Sequence, residues 1–267
     1  MVASISVGGG RLPKSVRKLQ KSGLSAKRAN EKHSPQKLIM TFWIVFLATL
    51  ALSAVAAAAV KNAYAKWSLV PARIGATGAD VARMILARSG IHDVEVTAQR
   101  GQLSDHYDPT HKRLVLSEEN YYGTSVAALG VSAHECGHAI QHARGYLPLH
   151  LRMSAVGLTQ FASSWLLILP MVGAMFHLIP WGLAALLIAA GWGIMMLFNL
   201  ITLPVEFDAT ARAKRILVHE GIVPAHEMAG VNKVLNAAAL TYVAAFITSL
   251  AWMLMHLLPF LGLGQEE

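Results

Sequence analysis

Between Met153 and Val205 the chain reads MSAVGLTQFASSWLLILPMVGAMFHLIPWGLAALLIAAGWGIMMLFNLITLPV, 53 residues without a single Asp, Glu, Lys or Arg. A helix needs about 20 apolar residues to cross a hydrocarbon core of roughly 30 Å. The block therefore accommodates two spans, turning near His177–Gly182, where Pro180 and Gly182 break the helix. Two further blocks lack charge: 23 residues from Leu38 to Val60 and 32 residues from Val234 to Gln265. Each fits one span, giving four.

Composition agrees. Apolar residues make up 54% of the 267 and charged ones only 14%, which argues against a purely soluble protein. The net charge of +8 resides in residues 1–37, which hold nine basic side chains and one acid, Glu31; residues 38–267 balance at fourteen of each sign. Such a tail reads as disordered and drawn to anionic lipid headgroups. Nucleic-acid binding is not expected, because no folded basic surface or stacking aromatics accompany the charge. The apolar run at 38–60 is too long and too far from the start for a cleaved signal, so a retained anchor is expected. The basic tail favours a cytoplasmic N-terminus, whereas Lys61, Lys66, Arg144, Arg152, Arg212, Lys214, Arg215 and Lys233 flank spans on the opposite side, so the two cues for sidedness oppose each other. Cys136 is the one cysteine, and no intrachain disulfide can form.

Residues 61–152 are the one region large enough for a folded unit outside the spans. Within it, Gly78–Ser89 is expected to form an amphipathic helix with Val81, Met84 and Ile85 on its apolar face and Gly90 as its stop. Val94–Ala98 and Arg113–Leu116 are short β-prone runs, and Asp105–His111, with its Asp-Pro step, is expected to be a polar turn between them. Thr124 is then the expected cap of a helix over Ser125–Ala143 that ends near Gly145.

That helix contains His134-Glu135-Cys136-Gly137-His138, an H-E-x-x-H pattern. Residues four apart on a helix differ by about 40° around the axis and about 6 Å along it, so both imidazoles project from one face and can grip one metal ion. Glu135 lies beside them, free to act as general base toward a water. At this chain's His and Glu content the pattern arises by chance about 0.02 times. Cys136 points off the histidine face and reads as a small packing residue. His142 has rotated about 80° from His134, toward the surface or behind the ligands. His177 and His256 lie near span ends, and Asp105, His106, Tyr107 and Asp108 either help bind substrate or form a polar turn.

A catalytic zinc needs a third protein ligand. The H-E-x-x-H-x-x-G-x-x-H arrangement is excluded, since Gln141 and Arg144 occupy its Gly and His positions. The acids downstream are Glu206, Asp208, Glu220, Glu227, Glu266 and Glu267. Two spans between the motif helix and Glu206 return the chain to the side it left, which favours Glu206, with Asp208 its competitor.

Leu103-Ser-Asp-His-Tyr-Asp-Pro, Leu116-Ser-Glu-Glu, Tyr122-Gly-Thr-Ser, the stretch from His134 to His142, Leu203-Pro-Val-Glu-Phe and Leu235-Asn-Ala-Ala-Ala-Leu-Thr-Tyr together resemble the YugP-type neutral zinc metallopeptidases over roughly residues 67–250. That family is in turn similar to the HtpX-like membrane gluzincins, in which the Glu opening a later E-x-x-x-D helix is the third ligand. The resemblance implies Glu206 here. The Asp of that pattern falls at Thr210, a departure that leaves Asp208 as the nearest acid to orient a ligand.

The fold expected is thus mainly α and multi-pass, with about four transmembrane helices and a small zincin-like α+β catalytic region. Its parts are a basic tail (1–37), a first span (38–60), the catalytic region (61–152), spans two and three (153–203), a third-ligand segment (204–233) and a fourth span (234–263). The expected activity is hydrolysis of peptide bonds in polypeptides, membrane proteins among them, at the bilayer. His134, His138 and Glu206 would hold one zinc ion, Glu135 would be the base, and Arg113–Ser117 the strand that pairs with substrate. The rival reading is a non-catalytic membrane scaffold or binding protein with a structural or vestigial zinc site, against which the intact Glu135 argues.

Overall fold

The computed structural model describes residues 14–101 and 104–261. Helix α1 runs Lys14–Trp67, so the basic segment expected to be disordered is helical from Lys14 onward; residues 1–13 lie outside the described residues. Lys, Arg, Leu, Gln and Ala are good helix formers, and extending an existing helix avoids the cost of nucleating one. The contacts described below all belong to the unit that begins at Ala48.

Among the described residues, four helical stretches are long and apolar enough to cross a membrane: Ile39–Trp67, Leu147–Met175, Trp181–His219 and Met228–Phe260. Their number matches the reading of the charge-free blocks, but each of the four runs past its block at one end. The second begins at Leu147 and so includes Arg152. It consists of α5 (Leu147–Phe161), a π-helical turn over Ala162–Leu166 and α6 (Leu169–Met175). Pro170 near the start of α6 has no N–H for the preceding turn, which accounts for a break there. The expected reversal follows, with His177 at φ 57° and Pro180 preceding α7.

Helix α7 spans Trp181–His219 without interruption. The third-ligand segment expected to follow the third span from residue 204 is not a separate element: Pro204 lies within α7, where it cannot donate to the helix ladder. Packing against α8 (Met228–Leu257) along its length keeps the helix going through it. Glu206 therefore belongs to the same rigid rod as the third span.

The part between the first two spans folds as expected in outline. Helix α2 (Gly78–Arg88) opens with a reciprocal cap between Thr77 and Asp80 and buries Val81, Ala82, Ile85 and Leu86. Strand β1 (Glu95–Gln99) pairs in parallel with β3 (Arg113–Ser117), Val96 lying opposite Leu114 and Ala98 opposite Leu116. Strand β2 (His106–Asp108) pairs antiparallel on the other side of β3. The expected polar turn over Asp105–His111 is thus half strand. The turn itself falls later, where Asp108 Oδ1 accepts from the amides of Thr110 and His111 and Lys112 takes φ 50°. Only three residues of β2 are paired, too few for an alternating pattern to announce it.

A short helix α3 (Glu118–Tyr122) leads to α4 (Val126–Ala143). Its cap is Ser125 rather than Thr124, the hydroxyl accepting from the Ala128 amide at 3.2 Å. Leu114, Leu116, Val81, Ile85, Leu129, Leu217 and Val231 form one core that binds the sheet, α2 and α4 to the ends of α7 and α8.

Helix α4 meets α7 at Gly137. A Cβ there would lie 2.6 Å from the Ala209 carbonyl oxygen and 3.0 Å from its Cα, so only glycine permits the approach. Gly137→Ala is expected to push the helices apart, costing about 1–3 kcal/mol and weakening any metal shared between them. Gly157→Ala on α5, where nothing stands within 4 Å, should leave both unchanged. Thermal unfolding and zinc content of the two variants in detergent distinguish a backbone clash from a general intolerance of alanine.

Candidate metal centre

Helical spacing on α4 places the imidazoles of His134 and His138 edge to face, ring centroids 4.8 Å apart. The contact at Gly137 sets Glu206 of α7 against them: its Oε2 lies 3.3 Å from His134 Nε2 and 3.5 Å from His138 Nε2. One donor atom from each of the three falls within 4.8 Å of the others. Four ligands arranged tetrahedrally at ordinary zinc distances stand about 3.4 Å from one another, so the imidazole-to-carboxylate spacings fit a single small ion with an open side. Asp208, the competitor, is not part of this cluster and is engaged by Gln141 and Arg212.

Each donor is held from behind. Glu206 is 1% exposed, and its second oxygen accepts from Arg152 of α5 at 2.9 Å. His134 Nδ1 lies 3.2 Å from the Thr210 hydroxyl, the residue standing where the related pattern has an acid. His138 Nδ1 lies 3.0 Å from Gln141 Oε1. Gln141, wholly buried, donates at 2.8 Å to the Val205 carbonyl and at 2.8 Å to Asp208, which is paired in turn with Arg212. Tyr242 of α8 is hydrogen-bonded to Glu206 and lies within electrostatic range of Glu135 and Arg152.

Glu135 is 8% exposed and near enough to His138 and Tyr242 to act on both electrostatically, yet among the described residues no hydrogen bond engages its carboxylate. Burial disfavours a charged His138, but hydrogen bonding to Glu206 and the negative charge of Glu135 outweigh it and raise the imidazole pKa. The pocket is therefore one that draws a cation.

The other residues singled out in the sequence serve elsewhere. His142 Nδ1 meets the Tyr107 hydroxyl at 2.9 Å; burial, then His150 and Lys112, lower its pKa. Burial with Asp93 and Asp108 pushes Tyr107 up to about 12. Asp105 accepts from the Ser117 amide and hydroxyl and from Asn120, a structural tie rather than a substrate contact. Glu220 pairs with Arg88, Glu227 accepts from the Arg73 amide, and Glu266 and Glu267 lie outside the described residues. His256 donates to the Trp252 carbonyl. Arg152, Gln141 and Tyr242 were not anticipated, since only the packing of α5, α7 and α8 brings them to the motif.

Cys136 is fully buried, its thiol aimed at the Ala82 carbonyl, and burial, then Glu135, raises its pKa well above the ordinary value. The folded protein should therefore resist maleimide, with about a tenth or less of the thiol labelled under conditions that label it fully in denaturant. Rapid native labelling, read by mass, would contradict its role as a packing residue.

Among the described residues, four apolar helices and a cluster of two histidines and a glutamate that could hold an ion define the class: a multi-pass membrane protein with a candidate metal site where the spans meet a small folded region. The chain belongs to the family described as "Putative neutral zinc metallopeptidase", whose model matches residues 42–261. It is 46% identical over 231 residues to the "Putative membrane protease YugP" of Bacillus subtilis (strain 168), covering 85% of this chain and all of that protein. No solved structure matches. Membership of a zinc peptidase family implies zinc as the metal and a polypeptide as the substrate class.

Proposed function

We propose that this protein is a zinc-dependent endopeptidase that cuts membrane proteins, or damaged segments of them, where they emerge from the bilayer. The observation that carries the reading is the carboxylate of Glu135, without a hydrogen-bond partner among the described residues, beside three donors spaced for one ion. A scaffold with a structural metal has no use for such an acid.

His134, His138 and Glu206 would hold the ion. Zinc bound there supplies Lewis acidity, lowering the pKa of a water and polarising the scissile carbonyl. Glu135 takes the water's proton as the new C–O bond forms, then delivers it to the amide nitrogen as the C–N bond breaks. Tyr242 and Arg152, both beside Glu206, are the candidate donors to the carbonyl oxygen as it gains charge.

The substrate strand expected at Arg113–Ser117 is corrected by the sheet order β1-β3-β2, in which β3 is central and both its edges are paired. We assign the role to β2, whose outer edge pairs with no strand among the described residues and which touches α4 through Tyr107 and His142. Purified in detergent, the protein should carry about one zinc per chain and cleave an unfolded reporter polypeptide, with a chelator stopping cleavage and zinc restoring it. Zinc-free protein with no chelator-sensitive cleavage would favour the scaffold.

A further inference from the structure

The hydrogens around Gln141 are dictated by its partners. One end of its amide faces two groups that only accept, the Val205 carbonyl at 2.8 Å and the Asp208 carboxylate at 2.8 Å. Arg212 holds Asp208 as the anion. That end must be the NH2, because the reverse orientation would set three oxygens against one another. The amide oxygen is then the atom 3.0 Å from His138 Nδ1, and an oxygen without a hydrogen requires one on the nitrogen. Nδ1 of His138 carries a hydrogen, which leaves Nε2, the nitrogen facing Glu206, as the one that can be free. His134 is not fixed in this way: the Thr210 hydroxyl at 3.2 Å can donate or accept.

We propose that Gln141, anchored by Val205, Asp208 and Arg212, is a positioning residue that fixes His138 as the Nδ1–H form and so reserves Nε2 for the metal. An amide stands where a carboxylate often orients a ligating histidine, and the charge of Asp208 acts one residue further back, polarising that amide. The departure at Thr210 is thereby offset on the other imidazole. What the device does for a metal rests on the function proposed above; the hydrogen on Nδ1 does not.

The test uses the full chain in detergent, labelled with 15N-histidine, and zinc affinity by competition with a chromophoric chelator. In the metal-free wild type, a downfield, exchange-protected Nδ1–H signal that disappears in His138→Asn is expected. Gln141→Met should abolish that signal and weaken zinc binding roughly 10- to 100-fold, the range for losing an outer partner of a ligand. Gln141→Glu sets a second carboxylate against Asp208 and should weaken binding comparably. Adding Asp208→Asn gives the new carboxylate an amide to bond and should recover about tenfold of the loss. That exchange of roles carries the test should Gln141→Met fail to fold. A wild type without the protected Nδ1–H signal, or a double variant no better than Gln141→Glu, overturns the inference. A protected signal in a chain that binds no zinc supports it while removing the function proposed above.

Discussion

Glu135→Gln is expected to bind as much zinc as the wild-type chain while hydrolysing a reporter polypeptide about 10²- to 10⁴-fold more slowly. The substitution conserves shape, and Glu135 is not among the three clustered donors. An amide cannot take a proton from water at neutral pH, so the loss falls on the chemical step and not on the metal. Initial rates at equal zinc loading decide the matter: a variant within about tenfold of the wild type would exclude Glu135 as the base. Loss of zinc alongside activity would show instead that Glu135 helps to hold the ion.

Glu206→Ala is expected to lose zinc outright on purification. It removes one of three donors, more than the roughly 10- to 100-fold effect of an outer partner, and it leaves Arg152 without its carboxylate. Asp208→Ala should weaken binding only within that outer range, because Asp208 reaches the site through Gln141. Zinc per chain, measured side by side, separates the two. Equal retention in both variants would mean that the topology uniting α4 with α7 does not build the metal site.

How much of this was legible depends on the range of the interaction. The histidine pair of α4 could be read because four residues make one helical turn and a little more, a local rule that holds whatever surrounds the helix. The four spans could be read because the bilayer excludes charge over a fixed length. Glu206 could be picked out of six acids by parity of crossings, though not its place within an unbroken helix, since Pro204 normally signals a boundary and packing here overrides it. Strand β2 was missed because a three-residue strand derives its pairing from β3 rather than from its own alternation. Gln141 and Tyr242 were visible only as members of the stretches that carry the family resemblance, and Arg152 only as a charge flanking a span; none was read as a site residue. Their roles depend on contacts 54 to 67 residues away along the chain, or on a helix face that only the bundle defines.

The continuity of α7 also makes it a ruler. Glu206 stands 25 residues after Trp181, about 38 Å along the helix, against a hydrocarbon core of roughly 30 Å. With Trp181 at one edge of the hydrocarbon core, the proposed metal site would stand a few ångströms beyond the other edge, and a peptide bond at the bilayer midplane would be out of its reach until that segment slid outward. Bilayer thickness and helix tilt together would set how far the site stands from the lipid tails, so the thickness of the membrane itself would bear on which bonds are presented for cutting.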